Sequence, residues 1–422
     1  MNYFSARHTR LRRVWVFFVL FLVAACGVSD SADSDSSLEY GLHYQLRPDP
    51  GGSAIFVELR LQQPRSLLRE VSFPTSEDIE VLAGSGALTT FDGRVHWQPP
   101  ANGGTLRWRA TLHSERGDRT FDALLDTDWG VFRMEDAIPR ARARTLKGAY
   151  SRTTFDFDLP TGWSAVTEYA AIEKPIVVDR PTRRFDEPAG WVAVGKLGVR
   201  RERIADTNVI VAGPDGHGVR RMDILALLNW TLPELATILP ESLPRLTIVS
   251  AGAPMWRGGL SGPASFYIHA DRPLVSENAT SALLHEVMHT ALGIRPRPGY
   301  DWIAEGIAEY YSIELLRRGK AITQRRAITA MEEQQEWGTK AKGLCGNAST
   351  GATTALAVTV FATLDRELSE ATDEEFGLDD LLPPLAGQDV DLELLQRMAT
   401  QLSGTTPDVL HIDKLPGCLN IS

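Results

Sequence analysis

The spacing of hydrophobic residues divides the chain into two parts. From Leu38 to about Gly213, apolar and polar residues alternate over five to nine positions, as in "AIFVELRLQ" (Ala54 to Gln62) and "TLRWRATLH" (Thr105 to His113). Such alternation is typical of strands with one buried face. Turn sequences such as "PDPGGS" bound these runs, and no long helical period interrupts them. The pattern predicts a β-rich N-terminal domain over residues 38–210, an antiparallel β-sandwich or saddle.

After "VAGPDGHG" the spacing changes to a mixture of helices and buried strands. "RRMDILALLNWTLPELATIL" has a helical period with a proline past its middle, and "LPRLTIVSAG" and "GLSGPASFYIHAD" are each typical of a buried strand. Further helical segments, one of them starting at Asp301, continue towards the C-terminus. The sequence therefore predicts an α+β protein whose second domain, residues 211–422, is mostly helical.

The N-terminus has the pattern of an export signal. "MNYFSARHTRLRR" carries four arginines and no acidic residue. "VWVFFVLFLVAA" is an apolar run of about 12 residues, which suits a signal peptide and is short for a membrane span. "LVAAC" ends at Cys26 and resembles a bacterial lipobox, which implies removal of residues 1–25 and a lipid on the Cys26 sulfur. The alternative is an uncleaved signal anchor.

The segment that follows, residues 26–37, is polar and has nothing to bury, so it predicts a flexible Ser/Asp tether. Gly27, and not Asp, follows Cys26. By resemblance to sorted lipoproteins this implies an outer-membrane protein that faces the periplasm, with the membrane as a partner through Cys26.

Composition and charge are those of a globular protein that does not bind nucleic acid. A hydrophobic content of 43% and a charged content of 23% are ordinary for a globular protein. The formal net charge is -10, and no block of Lys and Arg occurs outside the first 13 residues, which argues against a nucleic-acid partner. Cys345 and Cys418 form an even pair beyond Cys26, which predicts one disulfide in an oxidising compartment. The alternative is two free buried thiols.

The segment "LLHEVMHTALG" (Leu283 to Gly293) contains a pair of histidines and a glutamate with the spacing of a zinc site. His285 and His289 are four residues apart, so on a helix both rings project from one face and can bind one metal ion. Glu286 projects beside the first ring, where its carboxylate can reach a water held by the metal. Zinc lowers the pKa of such a water towards about 7, and a glutamate can then act as general base.

A structural or catalytic zinc site needs a third protein ligand, and Glu305 lies sixteen residues past His289 in "DWIAEGIAEYY". Asp301 is predicted to be the N-cap of this second helix, and the loop "GIRPRPGY" reverses the chain before it. Glu305 would then face the two histidines. Glu309, one turn further, is predicted to accept the free ring N–H of a ligand histidine. The alternative for Glu309 is a solvated surface carboxylate.

The HExxH sequence followed by W-x-x-E-G-x-x-E-Y resembles the gluzincin peptidases, the clan of thermolysin and the aminopeptidase N family. The gap of fifteen residues between His289 and Glu305 is most similar to peptidase-MA-like domains and glycyl-aminopeptidase relatives. The resemblance is specific over about residues 244–312 and architectural elsewhere. It implies a thermolysin-like catalytic domain with zinc on His285, His289 and Glu305, Glu286 as general base, and a peptide or protein substrate.

The chain departs from this family at the substrate anchor. Aminopeptidases of this kind carry an acidic residue in a Gly-rich strand, where it holds the free amine of the substrate. The similar segment here, "RGGLSGPAS", has Leu260, Ser261 and Gly262 and no carboxylate. The sequence therefore does not predict a typical aminopeptidase.

A second departure concerns the group that stabilises the oxyanion. The relatives use a Tyr on a helix after the third ligand, and Ala348 and Thr350 occupy the similar place here. His411 is the remaining candidate, since thermolysin-like enzymes use a His in this role. Tyr310 and Tyr311 are predicted to be packing residues of the second helix.

Three functions follow from these residues. The first is a zinc-dependent peptidase of the cell envelope. The second is a degenerate peptidase fold that binds zinc or peptides without turnover and acts as an envelope scaffold. The third, a structural lipoprotein without metal, requires that the paired motifs are accidental.

Overall fold

The computed structural model describes residues 38–169, 175–178, 185–239, 241, 243–346 and 348–419. The predicted signal peptide (residues 1–25), the lipidated Cys26 and the tether (residues 26–37) lie outside these ranges. Among the described residues, no helix combines the length and the apolar composition that a membrane span requires.

The first half of the described chain is almost entirely β-structure, as the alternating pattern predicts. Its elements are β1 (Glu39–Pro48), β2 (Ala54–Gln62), β3 (Leu68–Pro74), β4 (Ile79–Gly84), β5 (Ala87–Phe91), β6 (Arg94–Gln98), β7 (Gly103–Thr111), β8 (His113–Gly117), β9 (Thr120–Leu125), β10 (Trp129–Arg133), α1 (Met134–Ala137), β11 (Arg142–Thr145), β12 (Tyr150–Phe157), β13 (Ser164–Val166), β14 (Ile176–Val177) and β15 (Trp191–Gly195).

These strands form three sheets, with the orders β14-β12-β1-β2-β7-β4, β13-β15-β10-β9-β8 and β11-β3-β6-β5. Their pairs are antiparallel except for β1 and β12, which run parallel. In β1 the buried positions are Tyr40, Leu42, Tyr44, Leu46 and Pro48, so every second side chain enters the core. In β1 the alternation of the sequence thus shows which face of the strand is covered, whereas β15 is buried on both faces.

The second half contains a further sheet and the long helices. Its elements are β16 (Leu197–Ile204), β17 (Thr207–Pro214), α2 (Arg221–Ala236), β18 (Arg245–Ala251), β19 (Gly259–Gly262), β20 (Ser265–His269), α3 (Ala282–Leu292), β21 (Arg295–Pro296), α4 (Asp301–Arg318), α5 (Gln324–Gly338), α6 (Ala352–Ala371), α7 (Leu382–Leu385), β22 (Asp389–Val390) and α8 (Leu392–Ser403), with 3₁₀ turns at Leu378–Leu381, Asp408–Leu410 and Ile412–Lys414. The mixed α+β class is confirmed.

The sheet of this half has the order β16-β17-β18-β20-β19, with β17, β18 and β20 parallel and the two outer strands antiparallel to their neighbours. The predicted domain boundary after residue 210 falls inside β17. The sheet itself begins earlier, at Leu197, since the β16–β17 hairpin pairs with β18. The segment predicted as one strand, "GLSGPASFYIHAD", is a hairpin of β19 and β20. Its turn is at Pro263 and Ala264, and Ala264 has a φ of 46°.

Both faces of this sheet are covered, which fixes it in the interior. Ile248, Phe266 and Ile268 pack with α2, α3, α4 and α6 in one apolar core. Val249 and Tyr267, from the opposite face, pack against Trp129 and Trp191 of the N-terminal strands. The strands that precede α3 therefore have little freedom to move relative to it.

Candidate metal centre

Helix α3 holds the two histidines because its other face is anchored in the core. Ser281 is the N-cap, and its side chain accepts a hydrogen bond from the N–H of Leu284 at 3.3 Å. The helix ends at Gly293, whose φ of 57° is the left-handed conformation that glycine adopts without strain. Val287 and Met288 are fully buried. His285 and His289 therefore project from the opposite, partly exposed face.

Helix α4 brings Glu305 to that face. Tyr300 is the N-cap and Asp301 the first helical residue, so the prediction that Asp301 is the N-cap was wrong. The Asp301 carboxylate instead accepts the N–H of Ser349 at 2.7 Å. It contacts a distant segment and not its own helix, and sequence spacing does not reveal such a contact. Trp302, on the next position, is fully buried and anchors the first turn.

The side chains of His285, His289 and Glu305 converge on one point. Nε2 of His285 lies 3.0 Å from Nε2 of His289 and 3.3 Å from Oε2 of Glu305, and Nε2 of His289 lies 3.2 Å from Oε1 of Glu305. A tetrahedral zinc ion with bonds of about 2.0–2.1 Å separates its ligand atoms by about 3.3 Å. Within the described part of the chain, these three side chains form the group that can hold a metal ion. Their chemistry and spacing fit zinc.

Glu309 sets the orientation of the first histidine. Its Oε2 lies 3.0 Å from Nδ1 of His285, where the ring N–H donates to the carboxylate. Nε2 of His285 is then the ring nitrogen that faces Glu305 and that would bind a metal ion. The exposed fraction of the Glu309 side chain is 18%, so it is not a solvated surface carboxylate. This is the carboxylate–histidine arrangement typical of metal-ligating histidines.

The charges around the cluster favour a cation at its centre. Burial opposes the charged form of His285, but hydrogen bonds with Glu305 and Glu309 raise the pKa of His285 to about 10. Burial likewise opposes ionisation of Glu305, and its hydrogen bonds with His285 and His289 hold its pKa well below the usual range. The protein therefore stabilises positive charge here, as a proton on His285 or as a metal ion.

Glu286 lies between this cluster and the edge strand β19. It is 8% exposed, and its burial raises the pKa of its carboxyl above the usual value. The nearby His285 and His289 oppose this shift but do not cancel it. A Cβ atom on Gly259 would lie 2.7 Å from Cγ and Oε1 of Glu286. Only a glycine lets the strand approach the carboxylate this closely. Sequence analysis did not single out Gly259, although the paired glycines in "RGGLSG" were a signal of close backbone approach.

The candidates for oxyanion stabilisation do not join the cluster. His411 is exposed, its backbone N–H donates to the carbonyl of Asp408, and no described contact of its side chain reaches the histidines of α3. The hydroxyl of Tyr310 donates to Asp365 at 2.9 Å, and that of Tyr311 donates to Asp379 at 2.7 Å. Both tyrosines are buried, in agreement with a packing role.

A disulfide joins Cys345 to Cys418, across a separation of 73 residues. Beside it, the N–H of Leu344 donates to the carbonyl of Pro416 at 2.8 Å, and the N–H of Gly346 donates to the carbonyl of Gly299 at 3.2 Å. The bridge therefore ties the C-terminal tail to the segment that lies beside the start of α4.

Comparison with known proteins shows the fold and nothing finer. No family model and no curated protein matches the chain. Among solved structures, it is similar to an aminopeptidase N family protein from Idiomarina loihiensis, with a TM-score of 0.62 and 14% identity over 90% of this chain and 74% of that protein. The fold is distantly aminopeptidase-like. At this identity the likeness extends to the fold alone, so the function has to be argued from the site.

Proposed function

We propose that the chain is a zinc-dependent peptidase that hydrolyses peptide bonds in the cell envelope. The observation that carries the proposal is the convergence of His285, His289 and Glu305 at zinc-ligand spacing, with Glu286 buried beside them. The neighbour in fold, described as an aminopeptidase N family protein, supports the same reaction class.

Each side chain of the site has a role in this reaction. Zinc held by two histidines and a carboxylate supplies a Lewis acid for the substrate carbonyl and lowers the pKa of water towards about 7. Glu286 takes the proton from the attacking water and returns it to the leaving amine. Its raised pKa suits a group that both accepts and donates a proton. Glu309 holds the ring of His285 in place.

The edge strand offers a place for the peptide. β19 ends the sheet order, so within the described structure one side of its backbone pairs with β20 and the other side has no strand beside it. An extended peptide can add to such an edge through main-chain hydrogen bonds. Gly259 would place the peptide next to Glu286. Leu260 and Ser261 bring no carboxylate for a free amine, so we propose that hydrolysis does not require a free N-terminus.

We further propose that the protein is a lipoprotein of the outer membrane, facing the periplasm. The lipobox-like "LVAAC" and the disulfide between Cys345 and Cys418 support this, since disulfides persist in oxidising compartments. Mass spectrometry of the N-terminal peptide tests it. A lipid-modified Cys26 at the N-terminus is expected, and residues 1–25 retained on the mature chain would contradict it.

A second function, a zinc-binding scaffold without turnover, rests on one observation. The hydroxyls of Tyr310 and Tyr311 are bound to Asp365 and Asp379, so neither is directed at the cluster as an oxyanion donor. Removing one oxyanion donor costs on the order of a hundredfold in rate. Slow hydrolysis is therefore compatible with the site, and a complete lack of it favours the scaffold.

A peptide library analysed by mass spectrometry tests the proposed reaction. The zinc-loaded wild type should cleave members of the library, including N-terminally acetylated ones. Glu286→Gln should keep zinc and lose on the order of a hundredfold or more in rate, because it cannot accept the proton. Glu333→Gln, which changes an exposed glutamate of α5, is the matched control. Cleavage by Glu286→Gln at the wild-type rate would contradict the assigned chemistry.

A further inference from the structure

Two arginines, Arg257 and Arg272, lie at one end of the edge strand β19. Both are exposed, and among the described residues neither side chain forms an ion pair or a hydrogen bond. Arg257 stands two residues before Gly259, and Arg272 follows β20 by three residues. Unpaired guanidinium groups next to a candidate catalytic site need an explanation that ordinary surface arginines do not.

Backbone hydrogen bonds hold the two segments together. The N–H of His269 donates to the carbonyl of Gly258 at 2.9 Å, and the N–H of Arg272 donates to the carbonyl of His269 at 3.0 Å. The guanidinium of Arg220 then donates to the carbonyl of Arg272 at 2.7 Å. Arg257 and Arg272 are therefore placed on neighbouring, ordered turns.

Both arginines lie close to the reacting end of the site. A Cβ atom on Gly259 would meet the Glu286 side chain, so Arg257 is two residues from the strand position closest to the general base. Arg272 lies on the turn after β20, and His269 at the end of β20 is hydrogen-bonded to Gly258, the residue before Gly259. Glu286 is buried, however, and no ion pair joins it to either described arginine.

The local charge contrasts with that of the whole chain, which has a net charge of -10. Asp271 is an acidic neighbour, but its side chain is 66% exposed and lies beside His269 at 3.9 Å. Arg116 stacks over Trp256, next to Arg257 in the sequence, at 3.7 Å from the ring centroid, and it pairs with Asp122. Arg257, Arg272 and Arg220 therefore bring positive charge to this end of β19, with Asp271 as an acidic neighbour.

We propose that Arg257 and Arg272 bind a carboxylate of the peptide substrate at this end of β19. Arginine recognises carboxylates through paired N–H donors, which add geometric specificity to the charge. The carboxylate belongs either to an Asp or Glu side chain or to the C-terminus of the peptide. The proposal rests on the proposed function, since it assigns the substrate class of the same site.

Binding to an inactive protein tests this without turnover. Zinc-loaded Glu286→Gln is titrated into fluorescein-labelled pentapeptide pools in which each position is fixed in turn as Glu or Gln, each pool made with a free or an amidated C-terminus. Fluorescence anisotropy should show binding at least about tenfold tighter for the carboxylate form. A preference for Glu over Gln identifies a side chain, and a preference for acid over amide identifies the C-terminus.

The same titration is repeated with a variant that carries both Arg257→Gln and Arg272→Gln. In this variant the ratio of the affinities for the carboxylate and amide forms should fall to about one. Arg325→Gln, which changes an exposed arginine of α5, should leave it unchanged. Equal binding of carboxylate and amide forms, no binding of any pool, or a preference that survives the double substitution would overturn the proposal. This titration measures binding without hydrolysis. If the protein binds carboxylate peptides selectively but the wild type cleaves no peptide, only the peptidase proposal would be overturned.

Discussion

Nδ1 of His285 lies 3.0 Å from Oε2 of Glu309, and this contact decides which nitrogen of the ring faces Glu305. Glu305 and Glu309 are one turn apart on α4, so a single helix supplies both the carboxylate of the cluster and the carboxylate that orients its histidine. The metal centre is thus built from one face of each of two packed helices.

Glu309 should therefore control metal affinity without contacting the metal. Glu309→Leu removes the acceptor for the ring N–H and should weaken zinc binding by about 10- to 100-fold, whereas Glu309→Gln keeps an acceptor and should weaken it less. Competition with a chromophoric chelator measures the affinities, with Glu333→Gln as control. Wild-type affinity in Glu309→Leu would show that the contact does not orient the ligand.

Zinc binding should release a proton from His285. In the metal-free protein the pKa of His285 is raised to about 10, so the ring is charged below that pH and must lose its proton to bind the metal. Zinc affinity should then rise by about tenfold per pH unit between pH 7 and 9. Calorimetry in buffers of different ionisation enthalpy counts the proton, and affinity that does not change with pH would contradict the prediction.

The same raised pKa predicts how the metal-free protein responds to pH. A group whose pKa is higher in the folded than in the unfolded state stabilises the fold below its unfolded pKa, about 6.5 for His, and loses that contribution as pH rises through its folded pKa. For His285 this window ends at about 10. The difference in free energy of unfolding between the chelated wild type and His285→Asn should be largest near pH 6 and shrink towards pH 10. A difference that stays constant would contradict the assigned charge state.

Gly259→Ala should separate metal binding from catalysis. Its Cβ would lie 2.7 Å from the Glu286 side chain and displace either the strand or the general base. Zinc content should be unchanged, while the hydrolysis rate should fall by about tenfold or more, as expected when a catalytic group is misplaced. Gly41→Ala is a matched strand control, since its Cβ would meet its nearest neighbour at 3.6 Å. Full activity in Gly259→Ala would show that β19 is free to shift.

The disulfide should contribute to stability and not to the metal site. It closes a separation of 73 residues, so replacing both Cys345 and Cys418 by Ser should lower the free energy of unfolding by about 2–4 kcal/mol. Urea denaturation at a fixed zinc concentration measures the change. Zinc stoichiometry should stay at the wild-type value, and its loss would show that the bridge also holds the start of α4.

The two helices of the site are predictable because local chemistry specifies them. Apolar spacing and Gly293 define α3, and the positions of His285, His289 and Glu305 in the sequence bring their side chains into one cluster in the structure. The approach of Gly259 to Glu286 is not predictable in this way. It depends on β19 folding back beside β20, and the sequence pattern merged the two strands into one.

Contacts between distant segments explain the other differences between the predicted and the observed structure. Residues of β1 pair with residues of β12 more than a hundred positions later, for example His43 with Thr154, and nothing in either strand alone specifies a parallel partner. The prediction that Asp301 is the N-cap of α4 was wrong for the same reason. Its carboxylate accepts a hydrogen bond from the N–H of Ser349, which lies in a distant segment. Periodicity identifies elements, whereas their neighbours are set by the packing of the whole chain.

Elemental analysis of the purified chain tests the central claim, that His285, His289 and Glu305 form a zinc site. After growth with zinc and extensive dialysis, the wild type and Glu286→Gln should each retain close to one zinc ion per chain, and His289→Ala should retain almost none. A wild type without zinc, or a His289→Ala variant that keeps it, would contradict the account.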